Sequence, residues 1–323
     1  MKRSFSMLAG TLITVAVWAQ QPSQPQAFQL KAQSSSFWQL FDHDAKLGTM
    51  GEDFGFTEGP VWEPTGSLLV SDEEKNWIYR LYPDGHRDQV IQLGDPDGNT
   101  FDRHHRLIVT ASVLRAIIRL SPDMSRYDIL VDRYEGKRLN SPNDVTLGPD
   151  GAIYFTDPAL DLVKGEAQEL PFQGVFRLDQ QGKLSLLTKD LEEPNGLAFS
   201  PDGKYLYVDD SKQKNIRRYP FRNGTLGLGM IFADENVPNT RGVPDGMKTD
   251  SKGNLYVCGP GAIWVWSAKG EHLGDVVLPR SPVNLTWGGP GYSTLFVTAG
   301  HVVYTLPTRV RGHLSYPPTP ARQ

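Results

Sequence analysis

Six positions in this chain, each eight residues before a turn residue (Gly66, His105, Gly151, Gly203, Gly253 and Gly291), read Glu58, Asp97, Asn143, Asn195, Asp245 and Val283. Five of the six carry a side-chain oxygen. Carboxylates and amides with no Cys or His in phase form a hard oxygen set, suited to Ca²⁺, Mg²⁺ or Mn²⁺ and poorly suited to structural zinc. Calcium is the first choice because it tolerates many ligands in irregular geometry; Mg²⁺, Mn²⁺ and Zn²⁺ follow it. A cation held with open positions polarises a carbonyl as a Lewis acid, and a neighbouring carboxylate takes the proton of an attacking water. Ester or lactone hydrolysis needs no more than this.

Turn chemistry is the competing explanation. Asp245 lies in Pro244-Asp245-Gly246, and the same triplet recurs at 83–85, 96–98, 149–151 and 201–203. Pro-Asp-Gly supplies a fixed φ, a side-chain acceptor and a residue free to take positive φ. Turns account for Asp97, Asn195 and Asp245 one at a time. They do not account for Glu58 or for the missing glycine after Asn143, and carboxylates gathered at a dry place need a charge partner or a metal.

What gathers them is a repeat. The segments "GPVWEPTGSLLVSD", "GNTFDRHHRLIVTA", "NDVTLGPDGAIYFTD", "NGLAFSPDGKYLYVDD", "DGMKTDSKGNLYVCG" and "VNLTWGGPGYSTLFVTA" each hold an alternating strand, a turn and a second strand. Several continue into a third, as in "WIYRLYPDG". A spacing of about 40 to 50 residues is that of propeller blades, so the fold class is all-β, a six-bladed β-propeller. Equivalent positions at the start of each innermost strand then point toward one axis. The hairpin aspartates Asp84, Asp150 and Asp202 occupy a different phase from Asp97 and Asp245.

Composition agrees, with 32 glycines and 24 prolines among 323 residues. A net charge of −4 provides no basic footprint for nucleic acid. There is no Gly-x-Ser-x-Gly elbow, His-Glu-x-x-His helix or phosphate loop, and His104-His105 falls at a hairpin turn. Residues 1–19 have the basic start, apolar run and small-residue exit of a signal peptide. The expected organisation is therefore a signal peptide (1–19), a Gln/Ser-rich linker (20–37), the propeller (38–310) and a C-terminal tail (311–323). The mature protein is expected to be secreted or periplasmic, with no membrane attachment after cleavage. Cys258 is the single cysteine, which rules out an intramolecular disulfide.

In "GFTEGPVW", "RLNSPNDVTLGPDGAIYFTDP", "EPNGLAFSPDGKYLYVDDS" and "VPDGMKTDSKGNLYV" the chain resembles the SMP-30/gluconolactonase/LRE-like family, especially its bacterial gluconolactonase branch, from about residue 38 to 310. The resemblance implies a six-bladed propeller with a divalent cation, commonly calcium, on the axis, and hydrolysis of sugar lactones. It implies Glu58, Asn195 and Asp245 as metal ligands, Asn143 on metal or substrate, and Asp245 also as general base. Asp97, Asn143 and Arg138 are assigned to substrate. Where similar bacterial members carry Cys-Glu-His-Gly after "RLI", this chain has "RLIVTASVLRAIIRL". Small and apolar residues around Ala111 to Val113 replace a polar rim there, a change that bears on the substrate and not on the metal. Two alternatives stay open: a non-catalytic ligand-binding propeller with a structural calcium, and a strictosidine-synthase-like propeller, which would not require this ligand set.

Overall fold

The computed structural model describes residues 26–316 apart from Pro64, Asn239 and Arg241. The expected signal peptide and residues 317–323 lie outside the described residues. Six antiparallel sheets surround a central channel. Their innermost strands are Thr57–Trp62, Pro96–Phe101, Val145–Leu147, Pro194–Phe199, Met247–Thr249 and Asn284–Gly288, in blades 1 to 6. The first innermost strand packs against the second and the last, so the ring closes. Apart from two short 3-10 turns, the regular structure of the described residues is strand. The core lies between neighbouring blades: Trp62 of blade 1 stacks on Phe296 of blade 6 with ring centroids 5.0 Å apart.

Both ends of the chain are built into the propeller. Gly48–Gly51 pairs antiparallel with Val302–Pro307 and completes blade 6, with Gly48 opposite Thr305. Gln29–Ala32 pairs with His272–Val277 and adds a fifth strand to blade 5. The stretch expected to be a linker up to residue 37 is thus part of the fold from Gln29 onward, because Phe37 is fully buried in one cluster with Phe41, Tyr256 and Trp287. The expected tail is anchored as well. His313 N donates to Thr249 O at 3.0 Å, Leu314 packs against clusters on both sides of the molecule, and the buried Tyr316 hydroxyl donates to Trp62 O at 2.6 Å. Residues 311–316 therefore cross the lower opening of the channel, the end at which the innermost strands finish.

The blades are fastened to one another at the upper end, where those strands begin. Ser71, Thr110 and Thr156, each on the second strand of its blade, donate a hydroxyl to the main-chain carbonyl of the next blade's axial residue: Asp97 O at 2.7 Å, Asn143 O at 2.5 Å and Asn195 O at 2.6 Å. The same carbonyls press on the glycine that follows the preceding axial residue. A Cβ on Gly59 would lie 2.0 Å from Asp97 O, one on Gly98 2.6 Å from Asn143 O, and one on Gly196 2.2 Å from Asp245 O. These glycines follow the axial oxygens because the next blade's backbone occupies the space a side chain would need.

Blades 3 and 6 carry Asp144 and Asn284 at that position, and both side chains are used. Asp144 Oδ1 accepts from Val145 N at 2.8 Å and Oδ2 from Leu197 N at 3.3 Å. Asn284 Nδ2 donates to Glu58 Oε2 at 2.8 Å. Gly196→Ala should therefore be destabilising by about 1–3 kcal/mol through overpacking, read as a lower denaturant midpoint; an unchanged midpoint would contradict the close approach.

Candidate active site

Each axial side chain sits at the head of its innermost strand, where the preceding loop descends into the channel. Glu58, Asp97, Asn143 and Asn195 are buried there, and Asp245 is half-buried. Asn143 Nδ2 donates to Asp97 Oδ2 at 2.6 Å, and Glu58 Oε2 accepts from Gly59 N at 2.6 Å as well as from Asn284. Two oxygens of the group, Asp97 Oδ1 and Asn195 Oδ1, are buried with no hydrogen-bond partner among the described residues.

The electrostatics follow from crowding acids in a dry place. Burial, then Asp144, raises Glu58 to about 7 despite bonds from Gly59 N and Asn284 and the nearby Lys248. Asp245 is pushed well above the ordinary carboxylate range by burial, Glu58 and Asp144. Asp97 goes the same way through burial, Glu58 and Glu73. Glu73, above them at the mouth, is raised to about 10 by burial, then by Glu58, Asp95 and Asp161. Lys248 Nζ stands 3.7 Å from Asp144 Oδ2 and brings positive charge below the group.

Unpartnered buried oxygens, and carboxylates whose charged forms are disfavoured without a counter-charge, suit a bound cation. Among the described residues no three Asp, Glu, His or Cys side chains form a metal-binding group, so an ion here draws on amide oxygens too. Glu58, Asn143, Asn195 and Asp245 offer a mixed carboxylate and amide oxygen set, which fits a hard divalent cation.

Asp245 also lines a cleft of about 530 Å³ that opens at the upper face between blades 1, 5 and 6, together with Phe56, Glu74, Arg280, His301 and Tyr304. Of the residues assigned to substrate, Asp97 and Asn143 belong to the axial group, whereas Arg138 stands apart from it. Arg138 reaches Glu166 at 3.3 Å and Leu114 O at 3.4 Å, on a two-stranded ribbon beside blade 3. Around the expected gap in blade 2, Ala111 and Ser112 are buried, Ser112 Oγ donates to Pro142 O at 3.2 Å, and Val113 is exposed.

Several functional supports escaped the sequence reading. Arg115 is 2 % exposed, and its Nε donates to Leu139 O at 2.6 Å and Asn140 O at 2.9 Å, fixing the approach to Asn143. Its position in a surface-like hairpin gave no sign of this. In blade 4 the position of the stitching hydroxyls is taken by Asp209, which accepts from Gly196 N at 2.8 Å and which burial, Asp245 and Glu235 push well above its ordinary range. Neither Glu235 nor the cleft residues Phe56, Glu74, Arg280, His301 and Tyr304 share the repeat phase that revealed the axial set.

Glu235 yields a test of the pH dependence. Its Oε1 accepts from Trp266 Nε1 at 2.9 Å, Oε2 has no partner, and burial raises its pKa from 4.5 to about 8. The folded protein keeps this proton where the unfolded chain has lost it, so stability falls as pH rises from about 4.5 to about 8. Glu235→Gln keeps an acceptor for Trp266 and should show a shallower decline in Tm between pH 5 and pH 8 than wild type, both in chelator. An identical decline would contradict a buried neutral acid.

The family model of the SMP-30/Gluconolactonase/LRE-like region matches residues 56–301. A gluconolactonase of Zymomonas mobilis is 32 % identical over 302 residues, covering 84 % of this chain and 84 % of that protein. A pentonolactonase of Haloferax volcanii is 29 % identical over 255 residues, covering 75 % and 80 %. The solved structure of a gluconolactonase from Xanthomonas campestris superimposes with a TM-score of 0.81 at 32 % identity, over 88 % of this chain and 96 % of that one.

Proposed function

Because the chain belongs to the SMP-30/gluconolactonase/LRE-like family and is a gluconolactonase-like hydrolase, we propose that its axial group and cleft open the ring of a sugar lactone with one divalent cation, calcium. The observation that carries this reading is that Asp245 belongs to the axial oxygen set and also lines the cleft. Similarity to enzymes named for gluconolactone and pentonolactone supports the substrate class.

Glu58, Asn143, Asn195 and Asp245 would hold the cation. When bound it supplies positive charge that favours ionised carboxylates and polarises a lactone carbonyl. Asp245 takes a proton from water at a carboxylate oxygen while the water oxygen bonds to the carbonyl carbon. The bond between that carbon and the ring oxygen breaks, the ring oxygen receives the proton, and a hydroxy acid results. Asp97 and Asn143, already joined by a hydrogen bond, present polar atoms beside the reacting carbonyl. The dry surroundings of the group strengthen each of these charge interactions.

Asp245→Asn should lower kcat on an aldonolactone by about 10² to 10⁴, with a much smaller loss of cation affinity measured by calorimetry. Glu58→Gln should instead weaken the cation and recover activity in excess calcium. Wild-type protein that binds no divalent ion in elemental analysis, or an Asp245→Asn variant as fast as wild type, would overturn the reading. We also propose export with cleavage after Ala19, motivated by the charge and apolar run of residues 1–19. N-terminal sequencing of protein from the periplasm or medium should begin near Gln20, and an intact Met1 on protein confined to the cytoplasm would count against it.

A further inference from the structure

His301 lies in the tight turn that joins Thr294–Ala299 to Val302–Pro307 of blade 6, at the upper face. The turn is tied to the segment that leads into Glu58. Thr57 N and Thr57 Oγ1 both donate to Gly300 O at 2.8 Å, and Phe54 N donates to His301 O at 3.3 Å. The ring itself is oriented by the same segment. His301 Nδ1 is hydrogen-bonded to Gly55 O, and it lies 3.2 Å from Phe54 O.

Carbonyl oxygens only accept, so Nδ1 must carry the proton. In the neutral ring Nε2 is then a bare acceptor. The Nδ1 side is covered by the two carbonyls, while the residue as a whole is exposed and lines the 530 Å³ cleft that contains Asp245. The edge of the imidazole left open by these carbonyls carries Nε2. Arg280, also in the lining, can only donate. His301 thus offers the cleft an acceptor whose direction is fixed by main chain.

From this juxtaposition we infer that His301 is a specificity residue: its Nε2 accepts a hydrogen bond from a ring hydroxyl of the substrate, so that the cleft favours polyhydroxylated lactones over unsubstituted ones. A site built to pair with a hydroxyl rejects an analogue lacking it, because the protein acceptor is left unpaired. The inference rests on the lactonase reading above and assigns a residue that selects its substrate. Glu74, also in the lining and packed close to Gly55, is a carboxylate acceptor on an exposed turn residue, whereas the imidazole is held in place by its ties to Gly55 and Phe54.

The test compares glucono-δ-lactone with δ-valerolactone on calcium-loaded protein. His301→Asn can keep a donor toward Gly55 O but lacks the Nε2 acceptor; His301→Gln can return an oxygen near that place. The ratio of kcat/KM for the hydroxylated over the unsubstituted lactone should fall about tenfold in His301→Asn, chiefly through KM, as expected for one lost hydrogen bond. It should recover in part in His301→Gln. An unchanged ratio, with or without a general loss of activity, overturns the inference while leaving the lactonase reading intact. Wild-type protein that hydrolyses neither lactone overturns the lactonase reading and this inference with it. Nitrogen-15 NMR of the wild-type imidazole is the second measurement and does not depend on activity or on a folded variant: a proton on Nδ1 with a bare Nε2 supports the assignment, and a proton on Nε2 overturns it.

Discussion

The main-chain carbonyl of each axial residue is the point on which the site depends. In blades 2 to 4 it accepts a hydroxyl from the preceding blade, and in blades 2, 3 and 5 it fills the space left by the preceding blade's glycine. One small group therefore sets both the distance between neighbouring blades and the position of the side chain that leaves the same residue. Interiors this closely packed transmit strain rather than absorb it. The axial oxygens are consequently held by the propeller as a whole, and no single loop positions them.

Holding acids this way has an electrostatic cost that the fold meets in several ways. Glu58 takes two hydrogen bonds and Asp97 takes one, while Asp144 has main-chain donors and Lys248 nearby. What is left over is concentrated on Asp245 and on the bare oxygens of Asp97 and Asn195. The unmet demand is thus greatest where the cleft reaches the axis. That pattern distinguishes the axial group from the hairpin acids at the other end of the strands: Asp150 is paired to Arg177 at 2.7 Å and Asp202 accepts from its own turn.

Rotation about the channel made the axial set legible in the sequence, because a repeated fold writes converging residues at a repeated interval. The glycine missing after Asn143 was visible too, but its meaning required the neighbouring blade: Asp144 reaches across to Leu197 N. Features outside the repeat left little trace. Gln29–Ala32 lies on an outer edge with a mostly exposed burial pattern, and its alternation spans only four residues, too short a run to stand out. Arg115 looks like any turn arginine until its burial is known, and His301 acquires its orientation from carbonyls nearly 250 positions away. Arg138 shows the converse, a residue close in sequence to Asn143 that the ribbon carries away from the axis.

The chain laid across the lower opening, with Tyr316 seated on Trp62 and against Phe101, turns a tube into a cup. Traffic in such a vessel is by exchange at one rim. A neutral ring must arrive, and an acid must depart, at the upper face, where burial first and neighbouring acids second raise Glu73, Asp95 and Asp161 above their ordinary range. The end of the chain farthest from the chemistry thus turns exchange toward the upper face, where the cleft and the axial group meet.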